Sequence, residues 1–120
     1  KTLVHYLRKE GGQNLSRIVE RGTPGAKRAE LELWPVGEKD RHAQVRIRLV
    51  TGRHHQIRVQ CAAVGLPLLG DIRYGSRESR EYSARMGIRS VCLCASRLCF
   101  FHPVTGKRLE YEVEELPWEM

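Results

Sequence analysis

Apolar and polar residues alternate along several stretches of this chain, the two-residue period of a strand with one buried face. Thr2 to Arg8 places Leu3, His5 and Leu7 on one side and Val4 and Tyr6 on the other. Lys27 to Trp34 sets Ala29, Leu31 and Leu33 against Arg28, Glu30 and Glu32. Ala43 to Val50 directs Val45, Ile47 and Leu49 inward and Gln44, Arg46 and Arg48 outward. Arg108 to Val113 alternates again, and Arg17 to Glu20 has room for a short strand. Val91 to Phe101 is mainly apolar, with Arg97 its charged exception, and predicts a buried or half-buried strand. Turn chemistry separates these runs at Glu10 to Asn14, at Thr23-Pro24-Gly25, over a hairpin loop from Pro35 to Arg41, and at His102 to Lys107.

One segment changes period. From His54 to Val64 the residues Ile57, Cys61 and Val64 recur at spacings of four and three, one buried stripe of a helix. Gly65 suits a left-handed stop and Pro67 prevents continuation. Leu66 to Ser76 is a loop, and the charged stretch Arg77 to Arg89 is either a short helix or a mobile loop. Several strands around one main helix predict an α+β domain with a mostly antiparallel mixed sheet.

The chain has 120 residues, enough for one domain with a core that needs neither disulfides nor metal. No run approaches the ~18 apolar residues of a membrane span. No signal peptide opens the chain, and a cytoplasmic protein is expected. A start at Lys1 suggests excision from something longer. The net charge is +7, unevenly spread. All 21 basic residues precede Leu109, while five glutamates crowd Glu110 to Glu119. From Arg41 to Gly70 stand Arg41, Arg46, Arg48, Arg53 and Arg58 with no acidic residue. A basic body with an acidic last strand points to nucleic acid, although a solvated basic face with no specific partner has the same composition.

The densest polar cluster, Arg53-His54-His55-Gln56-x-Arg58, sits where a basic strand meets the helix start. Free backbone N–H groups and the helix dipole favour anions there. Arginine is the side chain for a bidentate grip on phosphate or carboxylate. Adjacent histidines diverge on a helix, and no H-E-x-x-H spacing exists, so no metal site is expected. Cys61, Cys92, Cys94 and Cys99 form no C-x-x-C pair and are expected to be small buried residues. No G-x-S-x-G elbow is present. The aspartates are Asp40, in the expected hairpin loop, and Asp71, whose place after Gly70 suits side-chain-to-backbone bonding in a turn. The residues alone thus support an anion-binding α+β domain and name no reaction.

The string Thr51-Gly52-Arg53-x-His55-Gln56-Ile57-Arg58 resembles the T-G-R-x-H-Q-[IL]-R signature of the RluA-type family of RNA pseudouridine synthases. The resemblance continues through Gly65-x-Pro67, Gly70-Asp71-x-x-Tyr74-Gly75, Leu93-x-Ala95 and Leu98-x-Phe100-x-His102-Pro103 at the family's spacing. Lys27 to Leu31 resembles the strand that precedes the signature. Cys94 departs from the family, which usually has histidine there.

The resemblance implies the pseudouridine synthase catalytic fold and conversion of uridine to pseudouridine in structured RNA, ribosomal or transfer, with no metal and no organic cofactor. It also implies a catalytic aspartate in an H-R-L-D motif, which this sequence lacks. The expectation is therefore that residues 1–120 are the C-terminal portion of the catalytic domain, completed by an upstream half and inactive alone. The alternatives are a non-catalytic RNA-binding module and a purely structural fragment. By the same resemblance Arg58 pairs with the absent aspartate, and Leu93 packs under the uracil. Arg53, together with Arg48 and His54 nearby, contacts RNA phosphates. His55 and Gln56 support the helix start, and Asp71 supports the loop. With no acidic neighbour in sequence, Arg58 is expected to be exposed and without a partner in this chain.

Overall fold

The computed structural model describes residues 1–39, 42–94, 97–101 and 108–112. Strands β1 (Thr2–Glu10), β2 (Leu15–Val19), β3 (Lys27–Lys39) and β4 (His42–Leu49) form one antiparallel sheet in the order β2-β1-β3-β4. Helices α1 (Gln56–Ala63) and α2 (Arg77–Arg85) follow. Strands β5 (Arg97–Phe101) and β6 (Arg108–Glu112) then pair as a separate two-stranded sheet. The class is α+β, every described strand pair is antiparallel, and α2 is a second helix beside the expected one. No helix among the described residues is long and apolar enough to cross a membrane.

The alternation in β1 and β3 does what its period demands. Leu3, Leu7, Ala29, Leu31 and Leu33 are buried, whereas Val4 and Trp34 on the opposite face are exposed. Helix α1 closes the buried face in two patches. Ile57 and Val64 pack on Leu3, Leu31, Leu33 and Ile47, while Val59 joins Leu7, Ala29 and Ile18. The helix ends where Gly65 takes φ 78°. There Leu66 N–H donates to Cys61 O and Gly65 N–H to Ala62 O, the paired bonds of a glycine-terminated helix.

Four expectations need correction. The hairpin from Pro35 to Arg41 is largely strand: pairing resumes at Gly37↔Gln44 and continues to Lys39↔His42. A bulge between Pro35 and Gly37 absorbs the proline, which has no N–H for a regular ladder. Leu49 is exposed, because β4 is one edge of the sheet and α1 lies toward the other, against β2 and β1. The helix begins at Gln56, two residues later than His54, because His55 sits in the left-handed region at φ 53°. Finally, Val91 to Cys94 is not strand. Cys92 N–H instead donates to Leu69 O, which ties this segment to the loop after α1. Of the cysteines, Cys61 is buried, whereas Cys92 and Cys94 are half-buried. The side chain of Cys99, the turn at His102 to Lys107 and Asp40 lie outside the described residues.

The loop from Leu66 to Ser76 is held tightly against the rest. Gly70 has φ 79°, and a side-chain carbon there would fall 1.9 Å from the Ser90 carbonyl oxygen, so only glycine fits. The Gly70 N–H donates to buried Ser83 Oγ on α2. Ser76 starts α2 by accepting from Ser79 N–H, which resolves Arg77 to Arg89 as a capped helix over its first nine residues.

Candidate active site

The turn between β4 and α1 is shaped by side chains that bond to backbone. Thr51 Oγ1 accepts from Glu30 N–H at 2.9 Å and donates to Gln56 Oε1 at 2.9 Å. Gln56 Oε1 also accepts from Arg53 N–H at 2.8 Å, and its Nε2 donates to Glu30 O at 3.0 Å. The Gln56 side chain is thus a buried buckle between the turn and β3, with every polar atom satisfied. On either side of it, His55 and Arg58 are directed at the loop that carries Asp71 and Tyr74.

Arg58 meets Asp71 in a bidentate ion pair, Nε to Oδ2 at 2.8 Å and Nη2 to Oδ1 at 2.9 Å. Asp71 Oδ1 additionally accepts from the backbone N–H groups of Arg73 and Tyr74, both at 3.1 Å. Its side chain is 1% exposed and that of Arg58 is 19% exposed. Burial alone would push the Asp71 carboxyl up, but the Arg58 guanidinium and the two backbone N–H groups reverse this and hold it below the usual aspartate range. Bonding to Asp71 likewise raises Arg58, which stays charged. The guanidinium lies over the Tyr74 ring, 4.9 Å from its centroid. The expectation of an exposed Arg58 without a partner in this chain is therefore corrected. The partner stands 13 residues on, and the loop after α1 folds it back.

Tyr74 is the hub that sequence reasoning missed. Its hydroxyl accepts from Ser16 N–H at 2.9 Å and lies 2.7 Å from His55 Nδ1. The Tyr74 hydroxyl and His55 Nδ1 share one proton in this contact, while the hydroxyl oxygen accepts from Ser16. His54 stacks on His55 with centroids 3.8 Å apart. His54 Nε2 donates to Asn14 Oδ1 at 2.9 Å, so its Nδ1 accepts from Ser16 Oγ at 2.7 Å. Burial lowers the pKa of both rings, and nearby positive groups deepen the effect. The one legible signal for this network was the Tyr74 of Gly70-Asp71-x-x-Tyr74-Gly75. Nothing in the string showed that its hydroxyl would reach both β2 and the turn before α1.

The other predicted residues are placed less closely. Arg53 Nε donates to Arg28 O at 2.8 Å, so its charge has no carboxylate in that contact. Arg48 is on β4 and pairs with Glu32 at 2.6 Å on the exposed face of the sheet. Leu93 is 44% exposed. Among the described residues no group of three histidine, cysteine or acidic side chains has the geometry of a metal site.

The histidines make stability depend on pH. Their folded pKa values, and that of His5, are depressed by burial below the ordinary histidine value near 6.5. The unfolded chain then takes up protons that the folded chain refuses. Stability is full above pH about 6.5 and declines as pH falls below it. Asp71 adds a second loss as pH drops below about 4 and passes through its lowered pKa. Urea midpoints should fall between pH about 7 and 5. His54→Gln or His55→Gln should flatten that fall; a wild-type midpoint constant over this range would contradict the neutral pair.

A family model described as RNA pseudouridylate synthase matches residues 1–63, more than half of the chain. An uncharacterized RNA pseudouridine synthase of Aquifex aeolicus is 34% identical over 93 residues, covering 74% of this chain and 29% of the relative. Ribosomal large subunit pseudouridine synthase C of Yersinia pestis is 35% identical over 104 residues, covering 86% of this chain and 31% of the relative. The solved structure of human RNA pseudouridylate synthase domain containing 1 superposes with a TM-score of 0.72 at 24% identity, over 96% of this chain and 48% of that one, and bears on the fold. The chain belongs to the RluA-type family of RNA pseudouridine synthases. It spans between a fifth and a third of the length of the curated relatives it matches.

Proposed function

We propose that this chain forms the arginine side of the catalytic cleft of an RNA pseudouridine synthase acting on ribosomal or transfer RNA in the cytoplasm. The observation that carries this is Arg58. It lies in the family signature, is clamped by a buried carboxylate along its Nε edge, and still has 19% of its side chain at the surface. A guanidinium fixed on one edge is preorganised to engage a second carboxylate on another.

In the complete enzyme that second carboxylate is the aspartate of an upstream H-R-L-D motif. The Arg58 charge keeps it ionised, since an opposite charge within several Å lowers a carboxylate pKa by about 1–3 units. The target uridine leaves its stack to reach it. The C–N glycosidic bond breaks, the uracil turns over, and a C–C bond forms, with no metal or organic cofactor in the proposed reaction. Leu93 packs under the uracil. Arg53 contacts phosphate directly, whereas Arg48 must first share its charge with Glu32. His54 belongs with them on the RNA-contacting surface, and His55, Gln56 and Asp71 hold these groups in position.

Residues 1–120 alone are proposed to be inactive. The burial of Asp71 and the bonds to both its oxygens argue against it as the catalytic carboxylate. The test is pseudouridine formation in RNA from cells lacking the parent enzyme, read by a pseudouridine-specific chemical probe. A protein that includes an upstream H-R-L-D segment should convert uridine, and residues 1–120 should not. Turnover by residues 1–120 would refute the assignment of Asp71. RNA binding without turnover by the longer protein would favour the non-catalytic module.

A further inference from the structure

Several arginines of this fold are ion-paired, and others donate to backbone carbonyls. Arg8, Arg17, Arg28, Arg48 and Arg77 each pair with a glutamate, which neutralises them locally. Arg73, like Arg53 and Arg80, is held by carbonyls, and it alone of the three is held by two: its Nη1 donates to Gln13 O at 3.1 Å and Asn14 O at 2.6 Å. Carbonyls orient a guanidinium without cancelling its charge. Arg73 is exposed, and no ion pair to it is found among the described residues. It is thus a full positive charge whose side-chain entropy is already partly spent.

Its surroundings are cationic as well. Asn14, whose carbonyl holds Arg73, also accepts from His54 through its side chain. Ser16, bonded to the same imidazole, lies opposite the exposed Lys9 in the β1–β2 register. Tyr74, bonded to His55, carries Arg58 over its ring. Lys9, Arg58 and Arg73 therefore surround the stacked His54–His55 pair. The depressed basicity of both rings agrees, with Arg58 and Arg73 acting on each and Lys9 on His54. Of the acidic groups close by among the described residues, Asp71 is buried under Arg58, and Glu10 is taken up by Arg8 and Arg17.

We propose that Arg73 is an RNA phosphate contact, and that with Lys9 it lines a cationic groove carrying a single strand past the His54–His55 pair toward Arg58. The inference rests on the RNA reading given above and adds a residue and a path to it. A single strand suits the groove because the target base must already be unstacked.

The test is a salt titration of binding to a uridine-containing single-stranded RNA oligonucleotide. Each phosphate contact on a single strand contributes about 0.7 to the slope of log K against log salt. Arg73→Ala should lower the slope by about that amount, so between about 50 and 200 mM salt the wild type should lose about 2.6-fold more affinity than the variant. Arg73→Lys should keep the slope, because it keeps the charge. Arg77→Ala, which removes a charge already paired with Glu81, should also leave it unchanged. Arg73→Gln retains an N–H donor for the same carbonyls and replaces Arg73→Ala if that variant does not fold. A merely structural Arg73 would change melting temperature and not the slope. Salt-dependent wild-type binding with an unchanged slope in the Ala and Gln variants overturns the Arg73 contact and leaves the proposed function standing. So does an equal slope loss in Arg77→Ala. No wild-type binding at low salt overturns both.

Discussion

Asp71→Ala lowers the stability of the fold by about 3–5 kcal/mol, the usual cost of removing one partner from a buried ion pair. The change strips Arg58 of both charge-assisted bonds while four-fifths of that side chain remains covered. It also leaves the Arg73 and Tyr74 backbone N–H groups without their acceptor. Asp71→Asn should cost less, because an amide oxygen can still accept from those two N–H groups, though it cannot balance the guanidinium charge. Urea denaturation measures both. A loss below about 1 kcal/mol for the Ala variant would place this pair among surface ion pairs of small net worth. The two variants separate charge from turn geometry, since only the Ala variant removes both.

Arg58→Lys in the complete enzyme should bind RNA nearly as tightly as the wild type and turn over at least about 100-fold more slowly, the scale of losing one preorganised donor at a reacting centre. Lysine keeps the charge, which suffices for phosphate steering. It loses the planar fork that lets one side chain face Asp71 along its Nε edge and a second carboxylate elsewhere. It also loses the flat cation lying over the Tyr74 ring. Single-turnover rates with RNA in excess of its Kd isolate the chemical step from binding. Turnover within a few fold of wild type would remove Arg58 from the reacting centre and leave its pair with Asp71 as a purely structural contact.

These two expectations differ in where they were visible. Arg58 stood out in the linear sequence, because arginine at the close of Thr51-Gly52-Arg53-x-His55-Gln56-Ile57-Arg58 is part of a recognisable string. The strands were legible for a simpler reason. A period of two with one buried face is a local property, and Leu3, Leu7, Leu31 and Leu33 lie on the face it predicts. Helix α1 was legible from Cys61 with its neighbours Ile57 and Val64, and its end from Gly65. Its buried glutamines were not. Gln56 and Gln60 are polar by composition and covered in the fold, because the backbone of β1 and β3 offers acceptors that no hydrophobic pattern records.

The sequence by itself determined the α+β class, the strand faces and the family signature, because each rests on residues close together along the chain. Only the tertiary structure decided what Arg58 touches. Its nearest acidic residue in sequence toward the C-terminus is Asp71, beyond the end of α1, and sequence distance gives no distance in space. The contact exists because Gly65 stops the helix, Gly70 lets the chain pass against Ser90, and Asp71 turns back beneath the guanidinium. The same return delivers Tyr74 to Ser16 and His55, and Arg73 to the carbonyls of Gln13 and Asn14. The contacts to Ser16, Gln13 and Asn14 join residues 58 to 60 positions apart, a closure set by packing around α1 and not by any local pattern.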